Sequence, residues 1–487
     1  MAGLKTESRP EAQRRAAPAR ISVGTMPRRV GVGLTAGPSL ATIDAALVEI
    51  DPNPIRLKPV ELIEFLPIAI PPDLQLRLAA VASGREPTTA AAMSELDAEV
   101  GKLLADAVRK VAGARLGEVE FIGSCGIPIR VASTSSSSSS SSSEEEKESK
   151  AKAGDESAMA SAVIRIGDAR AMAEDLKTCV VSNFKEDDSY LFSTADAVLF
   201  RHLLDETHTV EWHRKPDADT KCGLVVVHVG AMGSMTALSG TGRVLKIFDC
   251  GPGNAVMDLI IRNADKLGLK PKDQKDEALA EKLKKGSLVC DEDGKIAKGG
   301  EVYHGRTRDA PIDFAWSVPF FKRTPPRTGT DEDFGLEFTK EFVSRFPKEH
   351  KNVNDVVHTA MEHAALCIME GIASYVGAVR GSGDGRGGHS GNTGRVLISG
   401  GGSRNWALMN RLKSLGWKNL RFETSGECGV RADAKQAMAA AVLGYLALSG
   451  AAGAGGERVG DGDGGGGVLG EVFTAGGGPA PVFEPIK

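Results

Sequence analysis

Residues 33–51 read GLTAGPSLATIDAALVEID, from Gly33 to Asp51. Just upstream, Val30, Val32 and Leu34 alternate with smaller residues, so Arg29 to Ala36 is expected to form a strand. Ile43 to Ile50 is its expected hairpin partner, and small residues between them form the turn. The scheme returns in the second half. Leu224 to Val229 is a strand, followed by a small-residue turn, a strand at Arg243 to Phe248 and a helix at Ala255 to Leu267. Between the two openings, Glu95 to Ala112 carries apolar residues at helical spacing, with Ser94 as candidate N-cap. Val119 to Ile122 is a short buried strand, and Val163 to Ile166 and Thr178 to Val181 are strands around a helix. Arg395 to Ser399 is a strand feeding a helix at Trp406 to Leu415, and Lys435 to Leu448 is an alanine-rich helix.

The chain has 487 residues, enough for two domains. Its net charge of −4 gives no electrostatic case for nucleic acid or an anionic membrane as partner. No apolar run approaches the ~20 residues of a membrane span. The seven cysteines include no CxxC pair, which fits a reducing compartment and unpaired thiols. A cytoplasmic location is expected, with a transit peptide at 1–28 as the alternative. That tail and the Ser- or Gly-rich stretches 133–160, 381–393 and 450–467 are too polar or too glycine-rich to offset chain entropy, and are expected to be disordered.

Three glycine clusters follow strands. Glycine lets backbone N–H groups approach phosphate oxygens, and a following helix N-terminus adds partial positive charge. The strings are FDCGPGN (248–254), SGGGSRN (399–405) and IGDARAMAE (166–174). Asp249 could order a metal-bound water or brace a tight turn. Asp168 could cap its helix or face a ligand.

Taken in order, these strings resemble the anhydro-N-acetylmuramic acid kinase family. Residues 33–51 resemble its first phosphate turn, VHVGAMGSMTAL (227–238) its second, and FDCGPGNAVMD (248–258) is nearly unaltered. FIGSCGIPIR (121–130), VIRIGDARAMAE (163–174), VVSNFKEDD (180–188), LISGGGSRNWALMNRL (397–412) and SGECGVRADAKQAMAAAVLGYLAL (425–448) fall in the right order. The resemblance implies two actin-like (ribonuclease H-like) α/β domains with a nucleotide cleft between them. They would span 29–221 and 222–487, with the C-terminal segment able to return to the first domain.

It also implies ATP and Mg²⁺ as cofactors, a sugar as substrate and a homodimer, while metal ligands stay unassigned. Nucleotide or phosphate contacts are expected at Gly37, Ser39, Gly230, Asp249, Gly251, Gly253, Asn254, Gly400, Gly401, Gly402 and Asn405. Ser124, Cys125, Asp168 and Glu427 are expected to face the sugar, and Asn183, Lys185 and Asp188 to occupy the catalytic segment.

Departures cluster on the chemistry. The family's base lies in an Asp-Phe-Arg string, here Asn183-Phe184-Lys185, and an amide is no proton acceptor near neutral pH. Ala41 and Thr42 replace an Asp-Gly pair, Cys125 a His, Ile127 a Gln and Gln436 a Glu. The implied activity is ATP-dependent opening and phosphorylation of 1,6-anhydro-N-acetylmuramic acid. The alternative is an impaired pseudokinase that keeps nucleotide binding or only the fold.

Overall fold

A computed structural model describes residues 27–36, 40, 42–52, 59–82, 89–131, 162–184, 188–207, 222–270, 309–376, 394–416, 420–450 and 470–486. The stretches expected to be disordered lie almost wholly outside these residues.

The first sheet opens with an antiparallel meander of Arg29–Ala36 (β1), Thr42–Ile50 (β2) and Val60–Ala69 (β3). Phe121–Ser124 (β4) joins β1 in parallel. Ile127–Val131 (β5) and Ala162–Ile166 (β6) form a separate two-stranded ribbon, and Cys179–Ser182 (β7) joins β4 in parallel. The second sheet repeats this plan. Cys222–Val229 (β8), Met232–Ser239 (β9) and Val244–Pro252 (β10) form the meander. Gly394–Ser399 (β11) joins β8 in parallel and Leu420–Thr424 (β12) joins β11. The strand orders β3-β2-β1-β4-β7 and β10-β9-β8-β11-β12 are therefore the same, directions included. Glu471–Phe473 (β13) extends the first sheet, antiparallel to β7.

Each sheet has helices on both faces, so its central strands are apolar throughout. On β1, Val32 and Leu34 face the helix Ala90–Ala112 and one core. Gly31 and Gly33 face the other way. A Cβ on Gly33 would lie 1.8 Å from the Ala437 carbonyl oxygen, and one on Gly123 of β4 2.0 Å from that of Ala440. The helix Lys435–Leu448 therefore lies backbone to backbone on β1 and β4, which accounts for its alanines. Together with Asp188–Leu199 it fills the layer between the sheets. That core joins Ala46, Val48 and Phe121 of the first sheet to Leu224, Val226 and Leu397 of the second. Among the described residues, no helix is long and apolar enough to cross a membrane.

Several sequence expectations need correction. The helix predicted from Glu95 begins at Ala90, and its cap is Thr89, which accepts from the Ala92 N–H at 3.2 Å. Ser94 lies inside it. The first turn is solvent-facing alanine with no apolar period to read. The helix after β10 ends at Arg262, not Leu267, and continues as turns to Gly268, whose φ of 66° stops it. Strand β9 lies between the two strands read as hairpin partners.

Candidate active site

The second lobe gathers its glycine turns around the β8–β9 hairpin tip. The Asn254 N–H donates to the Gly230 carbonyl at 2.8 Å, and the Gly253 N–H to Ala231 at 2.8 Å. A Cβ on Gly253 would lie 2.5 Å from the Gly230 carbonyl oxygen. Gly400 closes from the other side with φ of 78°, where a Cβ would lie 2.7 Å from the Val229 carbonyl oxygen and 2.8 Å from the His228 ring. Gly401 stands 3.8 Å, as a built Cβ, from the Asn254 amide. Gly230, Gly253, Asn254, Gly400 and Gly401 thus converge at one place, at the carboxyl ends of parallel strands β8 and β11, where ligands bind in such sheets. Burial and the nearby Lys435 ammonium push His228 down to about 3, so it is neutral there.

The first lobe faces this cradle through Asp44. Burial, reinforced by repulsion from Asp433, pushes Asp44 up to about 6, although Thr42 donates to it and Arg404 attracts it. Arg404 belongs to the SGGGSRN turn, so charges of the β1–β2 hairpin and of that turn act on each other across the two lobes.

Other expected residues have contacts within the scaffold. Asp249 is buried, its oxygens accepting from the Ser234 hydroxyl at 2.6 Å and the Gly329 N–H at 2.8 Å, and it braces residues 327–329. Gly251 is glycine because the helix Val353–Val376 presses on it: a Cβ would lie 2.8 Å from Cys367 Sγ. Gly402 is required by Val229, 2.3 Å from a built Cβ. Asn405 caps the helix Trp406–Leu415 through the Leu408 N–H, 3.0 Å away. Asp168 caps the helix Ala169–Leu176, accepting from Ala171 at 2.9 Å. Local hydrogen bonds and packing act on these residues, and both produce the same Gly, Asn and Asp signals as a phosphate site.

Of the residues expected to face a sugar, Ser124 and Cys125 are fully buried, and the Ser124 hydroxyl accepts from the Gly126 N–H at 3.3 Å. Gly126 abuts Ile166 and Gly167, so these two residues and Asp168 share one corner of the first lobe. Glu427 does not join them. It follows β12 in the second lobe, where its carboxylate accepts from the Thr424 N–H at 2.6 Å, a bond that holds it below the usual carboxylate range. Cys125 and Cys428 are buried thiols.

Asn183 leaves β7 in a left-handed conformation, φ 51°, and its amide donates to Glu471 Oε2 of β13 at 3.0 Å. Asp188 begins its helix. Gly37, Ser39 and Lys185 lie outside the described residues. Sequence reasoning missed Glu471 and Arg404. It also missed Lys435, whose ammonium lies 2.6 Å from Asp196 in the layer between the lobes.

Twin sheets of one strand order, joined by a shared helical layer and meeting at glycine turns, define an actin-like α/β protein of the sugar-kinase class. The sequence profile of anhydro-N-acetylmuramic acid kinase matches residues 155–474. The anhydro-N-acetylmuramic acid kinase of Synechococcus elongatus is 24% identical over 422 residues, covering 85% of this chain and 92% of that one. That of a Bacillus cereus strain is 24% identical over 424 residues, covering 84% and 91%. Component A of the Acidaminococcus fermentans (R)-2-hydroxyglutaryl-CoA dehydratase aligns over 86% of this chain and 98% of its own. Its TM-score of 0.34 at 11% identity is too slight to bear on the fold. The chain belongs to the anhydro-N-acetylmuramic acid kinase family, a family of phosphotransferases.

Proposed function

We propose that this chain is an ATP-dependent sugar kinase that converts 1,6-anhydro-N-acetylmuramic acid and water to N-acetylmuramic acid 6-phosphate. The observation that carries it is the convergence of Gly230, Gly253, Gly400 and Gly401 on one hairpin tip facing Asp44. Backbone there is stripped of side chains, which suits close approach by phosphate oxygens, and the helix after Asn254 starts at the same place.

Among the described residues no three His, Cys, Asp or Glu side chains could together hold a metal ion. Magnesium bound mainly through nucleotide phosphates needs only one or two carboxylates. Asp44 would supply one, whereas both oxygens of Asp433 are held by Arg431, and magnesium there would offset charge on the phosphates.

In the reaction, water oxygen bonds to the anomeric carbon and loses a proton. The bond from that carbon to O6 breaks, O6 bonds to the γ-phosphorus, and ADP departs. The turns of the second lobe hold the phosphates, and the carboxyl ends of β4 and β7 bound the sugar. The test is incubation of purified protein with ATP, magnesium and the anhydro sugar, followed by mass spectrometry. The ring-opened sugar 6-phosphate is expected. Its absence, with ATP bound, would make the chain a nucleotide-binding pseudokinase.

A further inference from the structure

Attack of water on the anomeric carbon is slow without a positioned proton acceptor, and the amide of Asn183 is not one. The structure brings a carboxylate to that same point from the other end of the sequence. Strand β13 runs antiparallel to β7, with Glu471 opposite Ser182, one residue before Asn183. Glu471 Oε2 accepts from the Asn183 amide at 3.0 Å, and both side chains are exposed.

We propose that Glu471 is the catalytic base of this chain, taking the proton of the attacking water in the role that Asn183 cannot fill. The inference rests on the function proposed above.

Three observations support it. The first is position. Strands β1, β4 and β7 run parallel, and Glu471 stands at the carboxyl end of β7. At that edge β1 ends at Ala36, its antiparallel partner β2 begins at Thr42 and β4 ends at Ser124, so Glu471 shares the edge with the open end of the β1–β2 pair.

The second is rigidity. Gly470 lets the chain come close: a Cβ there would lie 2.8 Å from the Ser182 carbonyl oxygen and 2.9 Å from the Phe184 ring. Beyond Glu471, the Phe473 ring lies 5.5 Å from the Arg170 guanidinium, and the Gly476 N–H donates to Glu174 at 2.6 Å. A base must be held in place to act, and these contacts fix the strand that bears it.

The third is the geometry of the pair. An amide that donates to one carboxylate oxygen orients the group. Among the described residues Asn183 is the one side chain that bonds Glu471, and it does so through Oε2 alone.

The step balances. The water oxygen forms its bond to the anomeric carbon as its proton passes to Glu471. The electron pair of the broken bond stays on O6, which bonds to phosphorus as ADP leaves, and Glu471 then gives its proton to solvent.

The test measures sugar 6-phosphate formation by the native chain, Glu471→Gln, and the exchange variant Asn183→Asp with Glu471→Gln. Loss of a general base costs on the order of 10²–10⁴ in rate. Glu471→Gln should therefore lose about 10²-fold or more in kcat, with the KM for ATP little changed and the acidic limb of the pH–rate profile abolished. The exchange variant should recover at least about tenfold of that loss, because it returns a carboxylate to the same pair. Asn183→Asp alone is not the rescue, since two carboxylates so close would disfavour ionisation of one. An active native chain whose Glu471→Gln variant keeps its rate and pH profile would overturn the assignment and leave the kinase reading standing. A native chain without turnover would overturn both.

Discussion

At Asp44 burial competes with charge. Its carboxyl is pushed up to about 6 from an ordinary 3.8, chiefly by burial. Between about pH 4 and 6 the unfolded chain therefore releases this proton before the folded one does, and stability falls as pH rises through that window. Asp44→Asn removes the penalty. Its melting temperature should exceed that of the native chain at pH 7 and change less between pH 4 and 6. Thermal melts across that range check this, and parallel curves would show that Asp44 ionises without cost. The same residue shows what the sequence could and could not convey. Asp44 was visible as part of the opening hairpin, but its partners Arg404 and Asp433 lie far along the chain. Glu471 was less visible still, being 288 residues from the Asn183 it bonds. The glycines of the site were legible as glycines but not as to cause. Gly400 and Gly253 are required by neighbouring backbone at the hairpin tip, whereas Gly251 answers to Cys367 and Gly402 to Val229.

Among the elements, the helix Lys435–Leu448 shows how composition becomes packing. Its alanines meet Gly33 and Gly123 with no room for a methyl group on either strand. Overpacking of this kind costs about 1–3 kcal/mol. Gly123→Ala should lower stability by that order in denaturant unfolding, by moving the helix off β4. An unchanged midpoint would mean that the contact yields freely. Helices Trp406–Leu415 and Lys435–Leu448 were readable to the residue because a glycine turn or an alanine run marks their ends. Strand β3 was not read, since its exposed edge position mixes polar and apolar residues without clean alternation. The 24-residue helix Val353–Val376 was missed because it is buried on most sides and shows little polar face. Strand β13 is three residues long, and only its pairing with β7 reveals it.

Across the whole molecule, the two sheets are joined by buried charge as well as apolar surface. Lys435 and Asp196 lie in the middle layer, each with a side chain 2% exposed, 2.6 Å apart. Thr236 of β9 also bonds Asp196, which ties the second sheet to the pair. Burial alone raises the Asp196 carboxyl, and the ammonium opposes that rise. Removing one partner strands the other in an apolar layer, which costs about 3–5 kcal/mol. Lys435→Met should therefore destabilise by that order, and the added change Asp196→Leu should recover much of it. A double-mutant cycle on denaturant midpoints measures the coupling, and purely additive effects would show that the pair does not join the lobes. The duplicated plan was legible in the sequence, because both halves open on a strand hairpin. The shared layer was not, because its contacts connect segments far apart in the chain.

Calorimetric titration of ATP into the native chain and into Gly400→Val, with folding checked by circular dichroism, tests the glycine cradle most directly. Gly400 has φ of 78°, and a side chain there meets the Val229 carbonyl and the His228 ring. Saturable binding by the native chain, weakened about tenfold or more in the folded variant, is the expected result, a change of about 1.4 kcal/mol or more. A native chain that does not bind ATP, or a folded variant that binds it equally well, would show that the convergent turns do not hold the nucleotide.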